Sequence, residues 1–399
     1  MKTSSCVQIL LVIIACFCFM RHTAADERIF MDVQINGKPV RFALDSGAEA
    51  SAIFDSAAKR IGLRISTPPP NEEPRKDGKV RAGVSEPCWL MIDDATIKTR
   101  LLVAFLPPWA PLDADGFIAW SGIKDTILHI PAGKRKALPL KALPKDMAQW
   151  TKWNLKKGSR LLAIDLPGEG DALGDIYIDT GSGYGVELSS ERWKEWRARN
   201  PDQPTSITAG TTLYGLSVSE ESWAPKLAIG SFEIQNVPVC QAVTERSLIA
   251  KDHEATLCLA ALDSFDAIID GQNSCIYLKP CAARSVPYQY NRIGAVFVPK
   301  DKDSDPLVAH VAKNTPAYKA GVRDGDVLLA IDDLDVTKWK TDPKVLPLSR
   351  FWEQPAGTKL TLTLEQNGKK AKVAVIAEEI FPQAVIPEKQ PAAGGETER

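Results

Sequence analysis

The chain has 399 residues, 44% of them hydrophobic, with 49 basic residues against 50 acidic ones and a formal net charge of −1. That length makes roughly two or three domains of about 150 residues each, with ample chain for buried cores. A balance this even excludes a global field that would gather nucleic acid or an anionic membrane, so partners are to be sought at local sites.

The first element in chain order is Lys2 followed by the apolar run Val7 to Met20 and then "RHTAADE", in which Thr23 and Ala25 suit signal peptidase. Residues 1–25 therefore read as a cleaved signal peptide, and the mature protein as exported, periplasmic or extracellular. A membrane anchor is the rival reading, but the run falls short of the roughly 20 apolar residues a spanning helix needs. No membrane span is expected in the mature protein. Removing the signal leaves Cys88, Cys240, Cys258, Cys275 and Cys281, an odd number. The residues allow either up to two local disulfides among the last four or five reduced thiols. No C-x-x-C pair occurs, and His129, His253 and His310 lie far apart, so no metal and no cofactor is expected.

"RIFMDVQINGKPVRFALDSGA" reads as two strands joined at Asn36-Gly37, a pair suited to a tight turn, and the second strand delivers Asp45 at its end. A short helical segment, "AIFDSAAKRIGL", follows, then the polar loop "STPPPNEEPRKDGK" and a further hairpin in "CWLMIDDATIKTRLLVAFL". From residue 159 the same order returns: "SRLLAIDLP", a Gly-rich connection, "GDIYIDTGSG", the helix-like "SSERWKEWRARN" and the hairpin "PKLAIGSFEIQNVPVCQAV". Both units close on an apolar run, a short helical stretch and a strand pair. A domain-sized, mainly β unit is thus duplicated, with Asp45-Ser46-Gly47 and Asp179-Thr180-Gly181 at corresponding places. Either tripeptide alone reads as an ordinary turn, because Asp bonds its own backbone and Gly tolerates positive φ. "GSGYG" lacks phosphate-loop spacing, no G-x-S-x-G elbow occurs, and Trp193 and Trp196 at i, i+3 read as core.

The paired loops resemble the pepsin-like and retropepsin-like aspartic proteases, in which two β lobes each supply one Asp from an Asp-Thr/Ser-Gly loop. The resemblance implies a mainly β, bilobal acid-protease fold with pseudo-twofold symmetry. It makes Asp45 and Asp179 the catalytic pair, Ser46 and Thr180 the hydroxyls that lock the loops, and Gly47 and Gly181 the residues that let them turn. Ser182, three residues after Asp179 where Ala48 follows Asp45, is expected to support its loop by donating its hydroxyl to the Asp179 carboxylate, which makes Asp179 the charged, water-activating partner and Asp45 the proton carrier. The implied reaction is peptide-bond hydrolysis by a carboxylate that activates water and a carboxylic acid that protonates the carbonyl, on a peptide or unfolded protein substrate. Behind each loop the family has two apolar residues and a Gly. Here "GFIAW" puts Ala119 there, and "LCLAA" an alanine or leucine within 259–261. That departure motivates the alternative of catalytically degenerate lobes that support a peptide-binding adaptor.

The C-terminal third, from Arg292 to Val336, resembles a PDZ domain, a β-barrel-like fold: Pro316-Ala317 with Lys319-Ala320-Gly321-Val322 fits its short helix, and Gly325-Asp326-Val327-Leu328 the following turn and strand. The resemblance makes Arg292, Ile293, Gly294 and Ala295 a carboxylate-binding loop for peptide C-termini. The expected organisation is signal peptide 1–25, first lobe 26–145, second lobe 146–283, PDZ domain 284–380 and a disordered tail 381–399.

Overall fold

The structure, a computed structural model, describes residues 28–67, 81–92, 95–105, 114–167, 170–212, 215–242, 253–281, 288–300, 305–342 and 344–381. The expected signal peptide, most of the proline-rich loop and the chain beyond residue 381 lie outside the described residues. No helix among the described residues is long and apolar enough to cross a membrane.

Asn36 and Gly37, at φ of 51° and 77°, turn the first hairpin. Its strands Phe30–Ile35 and Lys38–Asp45 pair from Phe30 opposite Ala43 to Ile35 opposite Lys38. Lys38–Asp45 then runs parallel to Gly116–Ala119, which is antiparallel to Ala52–Phe54, itself parallel to Leu102–Phe105. The second lobe repeats this weave. Asp175–Asp179 runs parallel to Ala255–Cys258, which is antiparallel to Val186–Leu188, itself parallel to Phe232–Gln241. A helix follows the third strand of each weave, Asp55–Ile61 in one lobe and Ser190–Arg199 in the other. The latter is capped by Ser189, whose side chain accepts the Arg192 N–H at 3.3 Å. Its Trp193 and Trp196 stack at 5.6 Å and are buried.

The two weaves belong to a nine-stranded and a seven-stranded sheet, and a five-stranded sheet joins them. In that joining sheet Ile127–Ile130 from the first lobe pairs with Phe265–Asp270 from the second. One continuous apolar core runs through both lobes, from Ile29 and Leu44 to Ile178, Leu257 and Leu278. The Arg135 guanidinium clasps Asp263 through two 2.7 Å bonds across the lobes. The five cysteines among the described residues are thiols, and of these only Cys281 is not buried.

The C-terminal domain has its own six-stranded sheet and a core of Ile293, Phe297, Leu328, Trp352, Leu362 and Val375. Its short helix Pro316–Lys319 starts with Pro, where a missing N–H costs nothing. The domain docks on the second lobe. Val296, Val298 and Ala312 pack with Ile207, and Tyr288, Tyr290 and Phe381 pack with Trp223. Phe381, expected to open the disordered tail, is instead fully buried, because its ring completes this aromatic cluster 4.8 Å from Tyr290.

Candidate active site

Asp45 and Asp179 each sit at the last position of a strand buried in a sheet, and each is 2% exposed. Alternation sets their direction. Leu44 and Ile178 point into the shared core, so the next residue points to the opposite face. The following hydroxyls then bind the two loops together reciprocally. The Ser46 N–H donates to Thr180 Oγ1 at 3.0 Å and the Thr180 N–H to Ser46 Oγ at 3.1 Å, across 134 residues of chain. Ser46 Oγ donates to the Ile178 carbonyl at 2.7 Å and Thr180 Oγ1 to the Leu44 carbonyl at 3.0 Å. Every donor in this knot is buried and satisfied, which fixes one loop against the other.

The glycines serve a different purpose from the one the sequence suggests. Neither Gly47 nor Gly181 has positive φ. A Cβ on Gly47 would stand 2.5 Å from Asp179 Cγ, and one on Gly181 would stand 2.5 Å from Asp45 Cγ. Each glycine is therefore the seat of the opposite carboxyl, and both carboxyls lie over the same knot.

Burial is the largest influence on both acids. It pushes Asp45 well above the usual carboxylate range, helped by the adjacent Asp179 charge. Asp179 is pushed up to about 6 by burial, and held there by N–H groups of Gly181, Ser182 and Gly47 and a hydrogen bond from Asp45. The Gly181 N–H reaches Asp179 Oδ1 at 2.8 Å. Burial pushes Asp45 further up than Asp179, so a proton shared by the pair leans towards Asp45. Asp45 Oδ1 is buried with no hydrogen-bond partner among the described residues.

Ser182 supports Asp179 through its backbone N–H and not through the hydroxyl as expected, because the side chain bonds the Cys258 thiol. The register corrects the sequence alignment behind the loops. Ala119 pairs with Asp45 as expected, but the residue paired with Asp179 is Cys258, not one of 259–261, which form the helix Leu259–Leu262. The Ala119 methyl is absorbed in a cluster with Ala43, Ala48 and Ala52, so the missing glycine leaves the loop in place. Glu187 escaped the sequence reading. It is pushed up to about 8 by burial and by Asp179. The alternation Val186-Glu187-Leu188, apolar on either side, was the available signal. Among the described residues no His, Cys, Asp or Glu side chains converge to hold a metal ion.

The carboxylate-binding loop of the C-terminal domain is in place but occupied. The Arg292 N–H donates to the Trp352 carbonyl at 2.8 Å, and the Ile293 and Gly294 N–H groups donate to Asn291 Oδ1 at 3.0 and 2.9 Å. Asn291 Nδ2 donates in turn to the carbonyls of Ala295 and Ile207 at 2.8 and 2.9 Å. Of the expected carboxylate-binding loop Arg292, Ile293, Gly294 and Ala295, the Ile293 and Gly294 N–H groups are thus both turned to the Asn291 side chain.

A family model described as aspartyl protease matches residues 31–82, which include the first Asp loop. A model described as PDZ domain matches residues 291–376. No curated protein matches the sequence. Among solved structures the chain is similar to the EIAV protease complexed with the inhibitor HBY-793, at 23% identity over 26% of this chain and 91% of that chain, with a TM-score of 0.20. The chain thus joins an aspartyl-protease-like unit, built as two pseudo-symmetric β lobes, to a C-terminal PDZ domain.

Proposed function

We propose that the protein is an exported aspartic endopeptidase, with Asp45 and Asp179 as its catalytic dyad. The observation that carries this reading is the pairing of two buried carboxyls over one hydrogen-bonded knot, with unequal proton affinities. Asp179 takes a proton from water as the oxygen attacks the peptide carbonyl. Asp45 gives its proton to the carbonyl oxygen, and the dyad later returns one to the leaving nitrogen. No metal or covalent intermediate is needed. The leader at residues 1–25 supports action outside the cytoplasm, in the periplasm or beyond the cell. The PDZ domain contributes peptide binding in this reading, at a loop that has to release Asn291 before it can hold a terminal carboxylate. The adaptor alternative draws on Ala119 and Cys258. It is the weaker reading, because the interlocked loops that position the dyad are intact around both residues.

The test is hydrolysis of an unfolded protein followed from acid to neutral pH. Asp45→Asn or Asp179→Asn alone should lower the rate by about 10²–10⁴-fold or more while leaving the circular dichroism spectrum unchanged. The acidic limb of the wild-type profile should lie near 6, where Asp179 loses its proton, and that limb belongs to the coupled pair. Absence of cleavage by the wild type, or full activity in either variant, removes the enzymatic reading.

A further inference from the structure

The two lobes present the same face to the dyad with different chemistry. In the first lobe, residues alternating with the core positions Leu44, Ile53, Val103 and Ile118 form that face: Ala43, Ala52, Leu102, Phe117 and Ala119. In the second lobe the corresponding core positions are Ile178, Val186, Leu188, Val239 and Leu257. Register then assigns the counterparts residue by residue. Ala119 opposite Asp45 corresponds to Cys258 opposite Asp179. Ala52 lies opposite Phe117 and Leu102, whereas Glu187 lies opposite Thr256 and Cys240. Where the first lobe has a methyl group, the second has a carboxyl. Counting from the aspartates misses this equivalence, since the second loop is one residue longer.

Glu187 is placed as a recognition group rather than as a structural one. It is only partly covered, while its neighbours Val186 and Leu188 are in the core. Among the described residues it has neither a hydrogen-bond nor an ion-pair partner. It shares its face with Asp179, whose partner Asp45 also offers an unpaired, buried oxygen. The geometry points to Glu187 as the residue that selects a lysine or arginine side chain of the substrate, bound against the second lobe beside the scissile bond. This inference rests on the endopeptidase reading.

The energetics favour a cation over a neutral group. Burial and the nearby Asp179 hold a proton on Glu187 in the free protein. An arriving ammonium or guanidinium group releases that proton to solvent and pairs with the carboxylate beside the negative Asp179. Thr256, Cys240 and Cys258 share that face with Glu187, and Tyr184 packs against the two thiols. On the first lobe the matching place is walled by Ala52, Leu102 and Phe117, which suits an apolar side chain.

The experiment measures binding of peptides carrying a non-hydrolysable hydroxyethylene isostere, with lysine or its uncharged analogue norleucine walked through each position flanking the isostere. At one position wild-type protein should bind the lysine peptide at least about tenfold more tightly than the norleucine peptide. Glu187→Gln and Glu187→Ala should each reduce that preference to less than about twofold while norleucine peptides bind as well or better. Gln keeps the volume should Ala perturb folding. A lack of preference at every position, a preference that survives both variants, or no binding of any peptide overturns the assignment. Hydrolysis of unfolded protein by the wild type decides the endopeptidase reading separately, so a protein that cleaves without this preference loses only the role of Glu187.

Discussion

At the residue scale the site depends on what two glycines lack. Gly181 is invisible as a functional residue if only turn chemistry is considered, because Asp-Thr-Gly forms turns in many proteins. Its necessity comes from the other lobe: a β-carbon there overlaps the Asp45 carboxyl, and Gly47 does the same to Asp179. Gly181→Ala should therefore move Asp45 away from its partner. Overpacking of a rigid site costs about 1–3 kcal/mol, and the proton shared by the dyad is lost with the contact. The expected outcome is at least about a hundredfold fall in peptide hydrolysis. By contrast Gly158→Ala, at a positive-φ turn with open space around its Cβ, should lower stability slightly and leave activity near wild type. Equal activity losses in the two variants would mean that the glycines matter only through local backbone conformation.

At the element scale, strand positions and hairpin turns were legible from sequence, and loop occupancy was not. The hairpin at Asn36-Gly37, the strand ending in each aspartate and the tryptophan-bearing helix all form where local pattern places them, since their signals lie within one turn or one strand. The loop at Ile293-Gly294 has the right sequence for capturing a carboxylate, yet its donors are spent on Asn291, a neighbour whose side chain is held in turn by Ile207 from the other domain. In the full-length protein, peptides with free C-termini should accordingly show less than about a threefold advantage over their amidated forms, or about 0.6 kcal/mol. Fluorescence anisotropy measures this directly. A tenfold or larger loss on amidation would show that Asn291 yields readily and the cradle opens.

For the whole molecule, the dyad couples stability to pH with a definite sign. Asp45 and Asp179 both have folded-state values above the roughly 3.9 of an unfolded aspartate. The folded state therefore binds more protons, and the stability this contributes is complete below about pH 4 and is lost as pH rises through the folded values. Asp45→Asn cannot ionise and escapes that loss. Its melting temperature should exceed that of the wild type by about 2–4 °C or more near neutral pH, a gap that closes as pH falls to about 4. An equal gap at both pH values would place the effect in packing instead of charge.

The sequence by itself determined the mainly β character, the duplication, the two aspartates, their hydroxyl and glycine neighbours, and the separate C-terminal domain. These rest on periodicity, turn chemistry and repetition, which are local properties of the chain. Only tertiary structure decided which residue backs Asp179. Local reading favoured 259–261, and strand register, a contact between distant segments, put Cys258 there. Tertiary structure likewise decided that each glycine serves the opposite aspartate, that Asn291 fills the PDZ loop, and that Phe381 belongs to a core. The proton affinities of Asp45, Asp179 and Glu187 belong to the same class. They depend on burial and on the distance to another charge, and both quantities come into existence only when distant strands pack together.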